Sequence, residues 1–292
     1  MHAHFVLAHP EADSFNAHLA RAGREALEEA GWSVSLSDLY AMGFDPAERG
    51  EHFPARAAPG RFDAQAEQRH AAESGTLPAP VREELERLDG ADLVVLQYPM
   101  WWHLPPAMLK GWFDRVFAYG AAYIPGFLRN PGIALVRAWP PHQPHAWYTQ
   151  TPSDSGYTSR MRFERGRFAG KRALLSVTVG TARETYAHDG RSGDIDLLLW
   201  PVQFTLAYVG FSVLAPFVAY GVEAGLRYSD PAVVRARLER IVAEFRCALP
   251  EAAGRGVVSF NRMAEWGADG RILAEAPAHS AFVRHRERLD LG

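Results

Sequence analysis

The sequence predicts an α/β protein built on a doubly wound, five-stranded parallel sheet. Three observations carry this. Short apolar runs of strand length alternate with segments whose apolar residues recur at helical spacing. The opening residues read strand, helix, strand, which is a βαβ unit with parallel strands and a right-handed crossover. At 292 residues, 48% of them apolar, the chain can bury a large core.

The elements follow in order. His4-Phe5-Val6-Leu7-Ala8 is the first strand. Asn16 to Ala30 carries Leu19, Ala22, Ala26, Leu27 and Ala30 on one face, capped by Ser14 or by Asn16 and ended by Gly31. Trp32 to Leu36 alternates as a second strand. Residues 41–76, rich in Pro, Gly and charge, read as a long irregular excursion. Pro80 to Leu88 is a helix with Val81, Leu85 and Leu88 on one side. Asp92 to Tyr98 is the most continuous apolar run, a strand buried on both faces. Pro105-Pro106 opens a helix that runs to Phe117. Residues 129–168 form a long irregular insertion. Arg172 to Thr178 is the fourth strand, Asp194 to Val209 a helix, and Ser212-Val213-Leu214 the start of a fifth strand. Asp230 to Leu249 is a long amphipathic helix, capped by Ser229 or Asp230, with Pro231 in its first turn. The chain thus divides into a domain at 1–249 and an extension at 250–292 that packs on the domain or on a partner subunit. Within the extension, Val257 to Phe260 reads as a short strand and His279 to Arg288 as a charged helix.

Composition narrows the function. A formal net charge of −3 argues against a dedicated nucleic-acid or membrane-surface protein. The single cysteine, Cys247, excludes an internal disulfide framework and a multi-cysteine metal site, and fits a cytoplasmic location. No run of about 18 apolar residues exists to span a membrane, and the first residues lack the pattern of a secretory signal.

In a doubly wound sheet, ligands sit beyond the carboxyl ends of the strands, where strand order reverses. An order of 2-1-3-4-5 selects loops 9–16, 98–104 and 178–186. The first holds His9, Ser14, Phe15 and Asn16 beside a helix start, where backbone N–H groups favour a phosphate; the alternative is simple helix capping. The second, Pro99-Met100-Trp101-Trp102-His103, offers apolar faces for a flat ring; the alternative is that the tryptophans anchor the next helix. The third, Thr178-Val179-Gly180-Thr181 followed by Tyr186, combines a glycine with a phenol able to stabilise negative charge; the alternative is an ordinary turn.

At these loops the chain resembles the NAD(P)H:quinone oxidoreductase (DT-diaphorase) family. The matching pieces are Val6-Leu7-Ala8-His9-Pro10-Glu11 with Ser14-Phe15-Asn16, Ser37-Asp38-Leu39-Tyr40-Ala41-Met42, Gln97-Tyr98-Pro99, and Leu109-Lys110-Gly111-Trp112-Phe113-Asp114-Arg115-Val116-Phe117. Leu199-Trp200-Pro201-Val202 and Gly210-Phe211-Ser212-Val213-Leu214-Ala215-Pro216 continue the match. The resemblance implies a flavodoxin-like fold, a homodimer, non-covalent FAD (FMN being the alternative), and ping-pong hydride transfer from NAD(P)H to a flat acceptor such as a quinone. It implies that His9, Ser14, Phe15 and Asn16 hold the phosphates and ribityl chain. Pro99, Met100, Trp101, Trp102 and His103, with Thr178, Val179, Gly180 and Thr181, would flank the ring system. Tyr186 takes the position of a catalytic tyrosine near the flavin O2. Trp102, His103, Tyr123 and Tyr208 would line the acceptor pocket, the last two from the partner subunit.

The chain departs from that pattern at several points. Ser192 stands where animal members carry a histidine that partners the tyrosine, which leaves Tyr186 acting alone, with Arg191 as an electrostatic substitute or His188 as a replacement. Asp13 brings an acidic group beside the pyrophosphate position, and Thr181 replaces a glycine. The insertion gathers Trp139, His142, His145, Trp147 and Tyr148, either a lid or a surface arm; two histidines alone make no metal site. Arg160, Arg162, Arg165, Arg167, Lys171 and Arg172 form a basic run, either a solvated face or a site for the 2′-phosphate of NADPH. The sequence therefore supports an enzyme first, with a non-catalytic flavin-binding regulatory subunit as the alternative.

Overall fold

A computed structural model describes residues 1–123, 162–223, 229–267 and 270–277. The parallel sheet comprises β1 (His2–Leu7), β2 (Ser33–Asp38), β3 (Leu93–Pro99), β4 (Arg172–Thr178), β5 (Ser212–Val213) and β6 (Phe217–Ala219). Its order is β2-β1-β3-β4-β5, with β6 also pairing β4. The expected order 2-1-3-4-5 is therefore present, its fifth strand split in two. Pro216, which has no N–H to offer a ladder, lies in the break. β5 pairs the start of β4 through Ala173↔Val213, and β6 pairs its end through Thr178↔Ala219.

Six helices cover the two faces: α1 (Phe15–Glu29), α2 (Ala64–Ser74), α3 (Ala79–Gly90), α4 (Ala107–Val116), α5 (Ile195–Tyr208) and α6 (Pro231–Ala248). One core cluster joins Val6, Val94, Leu96 and Leu175 to α3, α4 and α5. The other joins Phe5, Leu7, Val95 and Leu174 to α1 and α6. Alternate residues of each strand point to opposite faces, so both faces of β1, β3 and β4 are dry. That is why those strands read as unbroken apolar runs.

α2 corrects the expectation of an irregular excursion at 41–76. Asp63 caps it by accepting from the Ala66 N–H, and Gly75 ends it in the left-handed conformation. It buries Glu67 and Gln68 rather than an apolar stripe. Glu67 accepts hydrogen bonds from Arg56 Nε (2.9 Å) and the Ala57 N–H (2.7 Å). A helix that packs through polar groups leaves little hydrophobic periodicity. Two further readings change. Ser14, not Asn16, caps α1, accepting from the Ala17 N–H at 3.2 Å. Val257 to Phe260 makes no strand: a single bridge joins Val257 to Leu214, and the Val258 N–H donates to Val213 O at 2.8 Å. Most of the insertion at 129–168, with Trp139, His142, His145, Trp147, Tyr148 and Arg160, and the segment His279 to Arg288 lie outside the described residues.

Gly111 marks the tightest approach on α4. A Cβ there would lie 2.1 Å from the carbonyl oxygen of Pro46. The loop after β2 is thus laid directly on the α4 backbone. Below the sheet edge, His4 is fully buried; its ring contacts Ser35 Oγ (2.8 Å) and Ser37 Oγ (3.2 Å), and Ser37 donates to Glu84 (2.6 Å). Burial, with smaller contributions from Arg87 and His2, holds the His4 imidazolium down at a pKa of about 3.

Because the folded value lies below the ordinary 6.5, the unfolded chain binds the extra proton first as pH falls. Stability therefore declines from pH 6.5 toward pH 3, by up to about 1.4 kcal/mol per pH unit from this group. Denaturant titrations across that range are expected to show the slope in the native chain and a shallower one in His4→Gln. Identical slopes in the two proteins would reject His4 as its source.

Candidate active site

Three loops meet at the carboxyl ends of β1, β3 and β4. The junction is a buried amide–hydroxyl cluster. Asn16, in the first turn of α1, donates from Nδ2 to Thr178 Oγ1 at 3.0 Å. Its carbonyl accepts from Gln97 Nε2 at 2.9 Å. The Met100 N–H donates to Thr178 O at 2.9 Å. All three side chains are buried. A buried polar group left unpaired costs about 1–3 kcal/mol, so each loop fixes the other two.

The first loop presents donors. Glu11 N–H donates to His9 Nδ1 at 3.0 Å. Nδ1 also lies 3.2 Å from Glu11 O; in the tautomer whose Nδ1 accepts from the Glu11 N–H, Nε2–H is left as a donor. The first-turn amides of Phe15 and Asn16 have no acceptor within α1. Asp13 is exposed, its N–H accepted by Glu11 Oε1 at 3.2 Å.

The second loop turns back on itself. The Trp101 N–H donates to Leu104 O at 2.9 Å and the Leu104 N–H to Trp101 O at 3.0 Å. Between them Trp102 (φ 50°) and His103 (φ 63°) are both left-handed. Two consecutive positive φ angles define the tight hairpin turn that ordinarily takes Asn-Gly. Bulky residues there store strain of order 1–3 kcal/mol each. The turn leaves Trp102 93% exposed and Trp101 42% exposed. Trp101 meets His9 edge to face, with ring centroids 6.0 Å apart. The tryptophans do not anchor α4; Trp112 and Phe113 do that work in the core.

The third loop is held by the segment after β6. The Val179 N–H donates to Ala219 O, the Gly221 N–H to Thr181 O and the Val222 N–H to Val179 O, each at 2.9 Å. Val179 is 2% exposed and has both backbone groups engaged. Gly180 faces open space, where an added Cβ would meet only Val222 O at 3.8 Å. Thr181 Oγ1 lies 2.6 Å from Thr185 Oγ1. Beyond it, Tyr186 is half-buried, and its ring centroid lies 6.1 Å from that of Tyr220. A cavity of about 800 Å³ opens beside this loop, lined by Thr181, Arg183, Arg191, Tyr220, Arg237 and Arg240. A second cavity, about 740 Å³, lies between Phe44 and the start of α3, away from the three loops.

The structure brings together His9, Ser14, Phe15, Asn16, Pro99, Met100, Trp101, Trp102, His103, Thr178, Gly180 and Thr181, with Tyr186 and Arg191 farther along the third loop. It does not bring Tyr123 and Tyr208 there within one chain. α4 leaves the carboxyl end of β3 and runs back for ten residues, about 15 Å. Arg167 then ties Ala121 O (2.9 Å) to Asp89 (3.0 Å), just ahead of β3. Tyr123 and Tyr208 pack together at that opposite end, with centroids 6.2 Å apart, and Arg162 covers Tyr208 at 4.8 Å. Burial raises both phenols, Tyr123 to about 12. Of the basic run, Lys171 donates to Asp89 O and Ala91 O at the same end. These cations are engaged in holding the fold.

Sequence reasoning missed Gln97, Tyr220 and Arg183. Gln97 was legible only as a polar residue inside an apolar strand. Tyr220 lies past the proline that splits the fifth strand, so no strand end pointed to it.

Against this geometry the comparisons agree. A family model described as flavodoxin-like fold matches residues 1–137 and 146–244. The chain is 35% identical over 219 residues to NAD(P)H dehydrogenase [quinone] 1 of Cavia porcellus, covering 74% of this chain and 67% of that one. It is 37% identical over 221 residues to ribosyldihydronicotinamide dehydrogenase [quinone] of Mus musculus, covering 75% and 80%. The chain belongs to the flavodoxin-like NAD(P)H dehydrogenase (quinone) family. A Klebsiella pneumoniae structure named as a quinone reductase superposes on it with a TM-score of 0.72 at 30% identity, covering 90% of this chain and 88% of that one. An NAD(P)H:quinone oxidoreductase structure from Methanothermobacter marburgensis superposes with a TM-score of 0.55 at 25% identity, covering 85% and 96%.

Two substitutions test how this family member builds its loops. Asn16→Ala strands the buried Gln97 amide and is expected to lower unfolding stability by about 1–3 kcal/mol; a loss indistinguishable from zero would show that the cluster does not couple the loops. His103→Gly relieves the left-handed strain and is expected to raise stability by about 1 kcal/mol, read from the denaturation midpoint. A lowered midpoint would contradict the strain assignment.

Proposed function

We propose that the chain is a flavin-dependent NAD(P)H:quinone-type oxidoreductase. The observation that carries this reading is the convergence of three strand-end loops, locked through Asn16, on a face that sets two exposed indoles beside a helix start. The residues there fit a flavin. Trp101 and Trp102 offer uncovered aromatic planes. His9 Nε2 and the first amides of α1 supply donors for phosphate. Gly180 leaves room for a ring against the backbone. FAD is the assigned cofactor, with FMN as the alternative, because the family resemblance implies it.

A flavin held by these residues would supply two-electron, ping-pong hydride chemistry between NAD(P)H and a quinone or similar flat acceptor. The chain's own residues position and polarise. The hydrogen bonds of the left-handed turn are made by Trp101 and Leu104, and the N–H groups of Trp102 and His103 would face the ligand. Tyr186 would donate a hydrogen bond from Oη to the ring edge where reduction places negative charge. Such a donor contributes more to the reduced state than to the oxidised one, which is the condition for accelerating reduction. Ser14 keeps α1 open-ended toward the phosphates while satisfying the Ala17 amide.

The acceptor pocket is completed in a homodimer. Tyr123 and Tyr208 lie at the far end of the sheet from Trp102, so only a second chain brings them against Trp102 and His103. No helix among the described residues is long and apolar enough to cross a membrane, and the assigned location is cytoplasmic.

The decisive experiment is anaerobic. The purified chain is expected to be yellow, to bleach on adding NADPH and to recolour on adding a quinone; a chain that takes up neither FAD nor FMN would sink the proposal. Tyr186→Phe is expected to slow reduction of the bound flavin on the order of tenfold, about 1.4 kcal/mol of barrier, while leaving the flavin bound. Unchanged stopped-flow rates would remove Tyr186 from the mechanism.

A further inference from the structure

Tyr186 does not stand alone. Its ring packs against Tyr220 at 6.1 Å between centroids, tilted by 50°. The guanidinium of Arg183 lies 5.6 Å from the centre of the Tyr220 ring, over its face. Three backbone hydrogen bonds of 2.9 Å clamp residues 219–222 to 179–181, and Thr181 Oγ1 lies 2.6 Å from Thr185 Oγ1, next to Tyr186 in the chain. The far side of the loop is equally fixed. The Ser192 N–H donates to Thr185 O at 2.8 Å, and a Cβ on Gly190 would sit 2.3 Å from that same oxygen. The nearest histidine in sequence, His188, is turned to solvent, its side chain 85% exposed and 3.8 Å from Asp189.

We propose that Tyr220 and Arg183 are positioning residues for Tyr186: Arg183 covers the Tyr220 ring, Tyr220 braces the Tyr186 phenol, and a permanent cation thereby stands behind the donor that faces the ligand. The inference rests on the flavin reading above. Its physical content is a difference between two states. A brace that only holds shape supports oxidised and reduced flavin alike. A guanidinium, charged at every working pH, favours whichever state carries more negative charge, and that is the reduced one. Burial raises the Tyr220 phenol, while Arg183 pulls it back down and Asp196 and Tyr186 add to the rise. Tyr220 therefore stays protonated and keeps a neutral ring against both Arg183 and Tyr186.

The test uses the full chain loaded with FAD, and measures flavin uptake first. Tyr220→Phe keeps the ring and removes one oxygen; Arg183→Gln removes the charge; Arg183→Lys restores it. The first two are each expected to weaken the preference for reduced over oxidised flavin about tenfold, a fall of about 30 mV in the two-electron midpoint potential. Affinity for oxidised FAD is expected to stay within about twofold. Arg183→Lys is expected to recover most of the potential, and Arg183→Gln in a Tyr186→Phe background to shift it far less than in the native chain. Should Arg183→Gln fail to fold, Tyr220→Phe carries the same reading. Native potentials in flavin-loaded Tyr220→Phe and Arg183→Gln would overturn this proposal and leave the flavin assignment intact, as would an undiminished shift in the Tyr186→Phe background. A native chain that binds no flavin overturns both.

Discussion

The buried contact among Asn16, Gln97 and Thr178 is the constraint on which the rest of the site depends. Three loops end three separate strands, and loops by default are the mobile part of a fold. Here one amide, brought in by the first turn of α1, satisfies groups on β3 and β4 at 2.9 and 3.0 Å. Breaking any leg leaves a buried polar atom without a partner. The low local dielectric that makes this costly also makes the intact cluster rigid. The donors of the first loop and the indoles of the second therefore share one frame.

That rigid frame explains how the second loop can hold a strained turn. Trp102 and His103 both sit at positive φ, a conformation that bulky side chains avoid. Strain of this kind persists only where the surroundings over-determine it. Met100 is fixed by Thr178, and Trp101 and Leu104 close on each other through two hydrogen bonds. The turn consequently exposes aromatic surface that would otherwise collapse onto the core. An exposed indole costs hydrophobic free energy in the free chain, and a flat ligand or a second subunit covering it recovers that cost.

The two ends of the sheet have different tasks. At the carboxyl ends the side chains are arranged around open space, with donors, indoles and a half-buried phenol. At the amino ends, Arg162, Arg167 and Lys171 are consumed in holding Tyr208, Ala121 and the start of β3. Arg162, Arg167 and Lys171 of the basic run thus belong to the fold. The tyrosines packed among them are separated from the three converging loops by the length of α4.

The five-strand alternation and the places of the three loops at its carboxyl ends were determined by the sequence alone, because both faces of β1, β3 and β4 are buried and the resulting apolar runs are unmistakable. His9, Asn16, Trp101, Thr178 and Gly180 were legible for the same reason: each follows or lies at the end of such a run. Only the tertiary structure decided the rest. α2 was invisible because it packs through Glu67 and Gln68. The role of Asn16 could not be told from a cap because its partners lie 81 and 162 residues away. Tyr220 and Arg183 emerged as neighbours of Tyr186 only after β6 was seen to resume the broken fifth strand beside the end of β4. Local sequence records burial and backbone preference within a few residues; which polar groups meet across the sheet is fixed by strand register, and that exists only in the folded chain.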